Sequence, residues 1–181
     1  MIKYNLLLYL FSPYLIIKVL VDAIKRKNSV SFILQRLGLN KIKEIKDVVW
    51  LHASSIGETK LAILIYKSLE KKEENYKFLI TTTTKSSSKL INEIGGNVEH
   101  LYLPIDWYFT TKRFIKSINP SICIIIETEI WPNLLQICKK NNIPSIIVNA
   151  RLSKKTTDIN KFVKSIYRLS LSYLTKIMCK S

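Results

Sequence analysis

The run Ile122-Cys-Ile-Ile-Ile-Glu-Thr-Glu-Ile-Trp-Pro-Asn133 passes abruptly from an apolar, mostly β-branched stretch into two carboxylates. Flanked by Asn119-Pro120 and Trp131-Pro132-Asn133, residues 122–126 predict a central strand of a parallel sheet covered on both faces. In open α/β sheets the ligand crevice lies outside the carboxyl ends of the strands, so Glu127 and Glu129 stand where function is expected. Solvated loop acids or salt-bridge partners are the other reading of these two residues, and the run by itself leaves both open.

Outward from this strand the chain alternates short apolar runs with amphipathic helical patterns. A strand is predicted over 48–53, a small-residue turn at Ser54-Ser55-Ile56-Gly57, and a helix over 58–72 with Leu61, Leu64, Ile65 and Leu69 on one face. A second strand over 78–82 opens into Thr83-Thr84-Lys85-Ser86-Ser87-Ser88, whose hydroxyls can cap the helix carrying Leu90, Ile91 and Ile94. A third strand over 98–103 is closed by Pro104 and Asp106, and a helix over 109–118 leads into the Ile122 strand. Beyond it come a helix over 132–140, a strand over 145–148 ending in Asn149-Ala150-Arg151, a basic amphipathic helix through Phe162 to Leu169, and a last strand over 174–178. Such alternation implies right-handed crossovers and a doubly wound parallel sheet, an α/β Rossmann-like domain over 47–181.

Ahead of that domain, 4–21 is apolar apart from Asn5, Ser12, Pro13 and Lys18 and is marginally long enough to cross a bilayer. Lys25, Arg26, Lys27 and Arg36 follow, which by the positive-inside tendency keeps the rest on the cytoplasmic side. With no small-residue cleavage site, 1–24 reads as an uncleaved membrane anchor helix and 25–46 as a basic connector. A first helix packed on the domain, or one lying in the membrane interface with Lys18 snorkelling, is the alternative. At 181 residues the chain holds one good core. Twenty-nine Lys and Arg against 13 Asp and Glu favour an anionic partner such as a membrane surface, although an Ile-, Lys- and Asn-rich composition discounts the excess. No nucleic-acid motif accompanies the charge. Cys123, Cys138 and Cys179 are far apart without metal-ligand spacing and read as thiols of a reducing compartment.

The first strand-turn-helix junction places Glu58 in the opening turn of a helix, where free N–H groups and the dipole favour negative charge, so it is a candidate base or an ordinary capping acid. Gly57 either permits positive φ or lets a ligand approach the backbone. Neither a Walker A lysine motif nor G-x-G-x-x-G is present. His52 faces the cleft or is a satisfied core histidine; His100, in mid-strand, reads as structural. Ser54 and Ser55 have no histidine and acid at triad spacing, which argues against nucleophilic hydrolysis.

Five ordered motifs, Trp50-Leu-His-Ala-Ser-Ser-Ile-Gly-Glu58, Thr81-Thr-Thr-Thr84, Leu101-Tyr-Leu-Pro-Ile-Asp106, Glu127-Thr-Glu-Ile-Trp-Pro-Asn133 and Val148-Asn-Ala-Arg-Leu-Ser153, resemble the 3-deoxy-D-manno-octulosonic acid (Kdo) transferases. That resemblance implies the N-terminal half of a two-domain GT-B glycosyltransferase at the cytoplasmic face of the inner membrane. It implies transfer of Kdo from the donor CMP-Kdo to the lipid A precursor lipid IVA, without a cofactor or a metal at the reacting centre. Glu58 would be the general base and Glu127 the acid that stabilises the transition state, with Glu129 second to it. The acceptor side would include Ser55 and Gly57, and Arg151 is a candidate to meet a phosphate or carboxylate. Lys85-Ser86-Ser87 stands where the family has Pro-Thr-Gly. The resemblance further implies a CMP-binding second domain outside this sequence, supplied by a companion chain or lost, and so an inactive polypeptide when alone. A non-catalytic, membrane-associated lipid-binding module is the competing expectation.

Overall fold

The computed structural model describes residues 1–24, 26, 29–40, 48–72, 76–151 and 160–179. Two helices come first, α1 (Ile2–Leu10) and α2 (Ser12–Ile24), then α3 (Ser29–Arg36). The remaining elements alternate: β1 (Val48–His52), α4 (Ile56–Glu70), β2 (Lys77–Thr82), α5 (Lys85–Ile94), β3 (Val98–Tyr102), α6 (Tyr108–Ile118) and β4 (Pro120–Ile126). They end with α7 (Pro132–Lys140), β5 (Ser145–Ala150), α8 (Lys161–Leu171) and β6 (Lys176–Cys179). All strand pairs are parallel, in the order β3-β2-β1-β4-β5-β6, so the expected doubly wound Rossmann-like sheet is present.

The strands are buried on both sides, which is why they read as continuous apolar runs rather than alternating ones. Along β1, Val48 and Trp50 enter a core shared with Phe114 and Ile118 of α6 and Leu134 and Leu135 of α7. Val49 and Leu51 point the other way, into a core with Ala62 and Tyr66 of α4 and Ile91 of α5. Cys123 and Cys138 lie buried as free thiols in the first core. Chain direction reverses its sideways progress between β1 and β4, which are adjacent although α4, β2, α5, β3 and α6 intervene. In doubly wound sheets this reversal is where the loops after two neighbouring strands diverge and a ligand crevice is expected.

Residues 1–24, expected as one helix, form two that meet at 56° across Phe11. Pro13 supplies the reason: it has no N–H to offer the carbonyl of Tyr9, and its ring crowds the preceding turn. Among the described residues no single helix is long and apolar enough to cross a membrane, though the bent pair meets that test by length and composition. No residue of α1 is buried, whereas Val19 and Ala23 of α2 pack with Phe32 of α3 and Ile105. Within the segment expected as a connector, α3 is therefore part of the fold; Arg36 donates to the Leu103 carbonyl, and Gln35 accepts from the Tyr102 N–H at 2.7 Å. Lys25, Lys27 and residues 41–47 lie outside the described residues.

Candidate active site

The candidate site lies where the carboxyl ends of β1 and β4 stand side by side. β1 runs through His52 into Ala53 and Ser54, and Ser55, in extended backbone, caps α4 by accepting the Glu58 N–H at 3.2 Å. The Glu58 carboxylate turns back so that Oε2 accepts the Ser54 N–H at 2.6 Å. This reciprocal arrangement is close to a capping box, shifted one residue outward. The capping role expected as an alternative for Glu58 is thus realised through Oε2; its other oxygen has no hydrogen-bond partner among the described residues. The side chain is buried. Gly57 sits in the first turn of α4 without positive φ, and a Cβ there would meet only Ser55 Oγ at 3.9 Å. Of its two readings, the need for positive φ is ruled out, and what is left is an open, exposed approach to the helix N-terminus.

Beside it, β4 ends with Glu127 at φ +62°, in the left-handed region, while its N–H still donates to Val148 O at 2.8 Å. Asn149, at the end of β5, is left-handed too, at φ +59°, and its Nδ2 donates to Glu127 Oε1 over 3.4 Å. Thr128 then bridges to β5: its hydroxyl donates to Arg151 O at 2.6 Å and accepts the Arg151 N–H at 2.9 Å. Arg151 is held by its backbone, its side chain is exposed, and no ion pair involves it among the described residues. Leu152 and Ser153, which complete that motif, lie outside the described residues.

Glu129 is the acid that the two sides share. Ser54 Oγ donates to Glu129 Oε2 at 3.1 Å, joining positions 75 residues apart in the chain. Its carboxyl is held above the ordinary carboxylate range, by burial first, then by the negative charge of Glu58 and, less, of Glu127; the Ser54 hydroxyl and the Trp131 indole pull the other way. The Trp131 N–H is buried and finds no acceptor within hydrogen-bonding distance among the described residues. Glu58, Glu127 and Glu129 thus form one carboxylate cluster at the crossover of the sheet, with Ser55 and Gly57 on its rim. Among the described residues, no group of His, Cys, Asp and Glu is arranged to hold a metal ion.

His52 is fully buried and satisfied on both nitrogens, with Nδ1 2.9 Å from Thr81 Oγ1 and Nε2 3.2 Å from Ser54 Oγ. Burial drives its pKa down to about 3, so the ring is neutral at physiological pH. His100 is structural, as read: Nε2 lies 2.9 Å from Thr82 Oγ1, and the ring meets Tyr102 edge-on.

Sequence reasoning gave no role to Asp106. The carboxylate is buried and accepts the N–H groups of Asn133 and Leu134, both at 2.9 Å, which caps the N-terminus of α7; it also accepts the Tyr4 hydroxyl at 2.9 Å. Burial nonetheless raises its pKa to about 7 against the pull of those donors. Asn133 Nδ2 adds bonds to Asp106 O and Asn5 Oδ1, both at 2.6 Å. The signals in the sequence were an acid placed between Pro104 and the following helix and its position at the end of the Leu101–Asp106 motif.

Residues 32–181 match the family model described as 3-deoxy-D-manno-octulosonic-acid transferase (kdotransferase). The chain belongs to the Kdo transferase family. It is 38% identical over 109 residues to the 3-deoxy-D-manno-octulosonic acid transferase of Haemophilus influenzae, covering 60% of this chain and 26% of that protein. To the enzyme of that name from Rickettsia bellii it is 27% identical over 181 residues, 98% of this chain and 43% of the relative. The chain thus spans less than half the length of these Kdo transferases. A solved structure described as a UDP-N-acetylglucosamine 2-epimerase from Listeria monocytogenes shares the fold, with a TM-score of 0.52 at 16% identity over 75% of this chain and 39% of that one.

Proposed function

We propose that this chain is the acceptor-binding side of a CMP-Kdo-dependent transferase that moves Kdo onto the lipid A precursor lipid IVA. The observation that carries the reading is the convergence of Glu58 and Glu129, tied through Ser54, with Glu127 beside them at the crossover between β1 and β4. In this reading Glu58 removes the proton from the acceptor hydroxyl as its oxygen attacks the anomeric carbon, and CMP departs with the bonding pair. Glu127, locked in a left-handed backbone conformation that costs energy, stabilises the transition state. Arg151, exposed beside the cluster, meets an anionic group of a substrate. The donor side is assigned to the length that the relatives have beyond the part matched here, so these 181 residues by themselves bring the acceptor side of the reaction.

A lipid acceptor suits the surface. An apolar groove of about 430 Å³ runs between α1, α2 and α8, lined by Tyr4, Leu8, Phe11, Phe162 and Ile166 and, from the turn that carries Glu129, by Ile130 and Pro132. Ile2, Leu6, Leu10, Ile17 and Ile24 are exposed, which fits a helix pair seated on the cytoplasmic side of the inner membrane, attracted by the net charge of +16. The same groove also favours a lipid-binding module without chemistry.

The test is transfer of Kdo from CMP-Kdo to lipid IVA by the chain alone and mixed with a separately expressed C-terminal Kdo-transferase domain. Turnover on mixing, lowered by about 10²- to 10⁴-fold in Glu58→Gln, is expected. Folded partners with no turnover, or a Glu58→Gln mixture as active as wild type, would sink the catalytic reading; lipid IVA binding that survives would then favour the module.

A further inference from the structure

A line of hydrogen bonds runs from the core to the carboxylate cluster: Trp50 Nε1 to Thr81 Oγ1 at 2.8 Å, Thr81 Oγ1 to His52 Nδ1 at 2.9 Å, His52 Nε2 to Ser54 Oγ at 3.2 Å, Ser54 Oγ to Glu129 Oε2 at 3.1 Å. Its two ends determine its direction. An indole N–H only donates and an ionised carboxylate only accepts. With Ser54 donating to Glu129, its oxygen accepts from His52 Nε2–H; a neutral ring then accepts at Nδ1, and the donor is the Thr81 hydroxyl, whose oxygen takes the indole N–H. The Thr81 backbone is a further partner of the ring, one that an Nδ1–H would use; with Glu129 ionised the side-chain line sets the proton on Nε2.

We propose that Ser54 and His52 are positioning residues that act through Glu129, presenting it to the carboxylate cluster as an oriented, ionised acceptor with Oε2 held by the Ser54 hydroxyl. This rests on reading the cluster as the proton-handling centre. Ser54 also holds Glu58 through its backbone N–H, which Ser54→Ala leaves in place while removing the hydroxyl. The groups facing Glu129 are Glu58 from α4, Glu127 from the end of β4, the Ser54 hydroxyl and the Trp131 indole. Around His52 they are Thr81, Ser54, the Trp131 ring at 5.7 Å, and the more distant charge of Arg36. The negative charges of Glu58 and Glu127 work against the ionised state of Glu129, and a fixed neutral donor favours it.

The line has a second sense. Thr81 Oγ1 also lies 3.4 Å from Leu51 O, the longer of its two acceptors. When Glu129 takes a proton it becomes the donor to Ser54, Ser54 donates to His52 Nε2, Nδ1–H donates to Thr81, and Thr81 turns to Leu51 O. The imidazole stays neutral throughout and changes tautomer at equilibrium, its proton exchanging with solvent. The tautomer of His52 therefore reports the proton on Glu129.

The experiment is nitrogen-15 and side-chain carbon-13 NMR of the 181-residue chain across pH. At high pH His52 is expected to carry its proton on Nε2, and to change to Nδ1 over the range in which the Glu129 carboxyl titrates. Ser54→Ala is expected to move the Glu129 midpoint upward, and Ser54→Thr, which keeps the hydroxyl, to restore it. In the reconstituted transfer assay Ser54→Ala should lose roughly tenfold in kcat/KM on the acid side and recover as pH rises. An Nδ1–H ring at high pH, or a Glu129 titration indifferent to Ser54→Ala, overturns the proposal even if transfer is seen. The NMR result without any transfer leaves the hydrogen-bonded line in place, and what fails is the transferase reading with Glu129's part in it.

Discussion

Glu127 offers the clearest separation of stability from function. A left-handed backbone costs a residue with a Cβ about 1–2 kcal/mol, and Glu127 sits at φ +62°. Replacing it by glycine removes that cost but makes the unfolded chain more flexible, which returns roughly 0.5–1 kcal/mol. The hydrogen bond from Asn149, which disappears with the Glu127 side chain, spans 3.4 Å, past the usual range. It is worth a few tenths of a kcal/mol, roughly cancelled by relief of like charge at Glu129. Glu127→Gly should therefore be more stable than wild type by about 0.5–1 kcal/mol, while Glu127→Ala, which keeps the backbone cost, should gain nothing. For a domain of this size the glycine variant should melt roughly 2–4 °C above the alanine variant per kcal/mol. Calorimetry on the two variants reads the difference, and both should lose transfer in the reconstituted assay. An alanine variant as stable as the glycine one would refute the argument, because it would mean that the backbone at 127 is not held in the left-handed region.

Other outcomes follow from the same structure. Tyr4→Phe removes one donor from the buried Asp106 carboxylate and should cost about 1–2 kcal/mol in urea denaturation, with faster amide exchange in α1. Asp106→Asn leaves an amide facing one of the two α7 N–H groups and should cost more, about 2–4 kcal/mol. Gly38, at φ +66°, would bring an added Cβ to 2.7 Å from Thr110 Cβ, so Gly38→Ala should destabilise by about 2 kcal/mol or more in thermal melts. His100 has its pKa lowered to about 4 by burial, so between about pH 6.5 and 4 the unfolded chain binds the proton and the folded chain does not. Wild type should lose about 1.4 kcal/mol per pH unit relative to His100→Gln over that window, and nothing above it; parallel curves from pH 7 to 4 would contradict the assignment.

Much of the fold was legible because a doubly wound sheet writes its strands as apolar runs and its helices as one-sided patterns. The helix read over 132–140 is α7, and the strand read from Ile122 begins two residues earlier, at Pro120. Glu58, Glu127 and Glu129 were visible as acids just past strand ends. Their pairing was not, since Ser54 meets Glu129 only because β4 lies beside β1, and nothing in either strand names its neighbour. Glu127 carries no mark of its left-handed backbone, which the surrounding strands impose on an ordinary glutamate. The N-terminal segment is apolar enough for an anchor or for packing, and composition could not divide it into an exposed α1 and a partly buried α2; Pro13 was the residue that carried that information.

The node at Asp106 gives the two halves of the proposed function a physical link. α1 reaches it through Tyr4, and Asn5 bonds the Asn133 side chain; the loop before α6 supplies the carboxylate, and α7 supplies the N–H groups of Asn133 and Leu134. α7 begins three residues after Glu129, with only Ile130 and Trp131 between, and both of these pack against the core beneath. A buried carboxyl group that accepts three hydrogen bonds does not shift without breaking them, so the position of α1 and the position of the Glu129 turn are joined by a short, stiff path. If α1 rests on a membrane, the carboxylate cluster is thereby held at a set place relative to that surface, where the sugar of a lipid acceptor would have to present its hydroxyl.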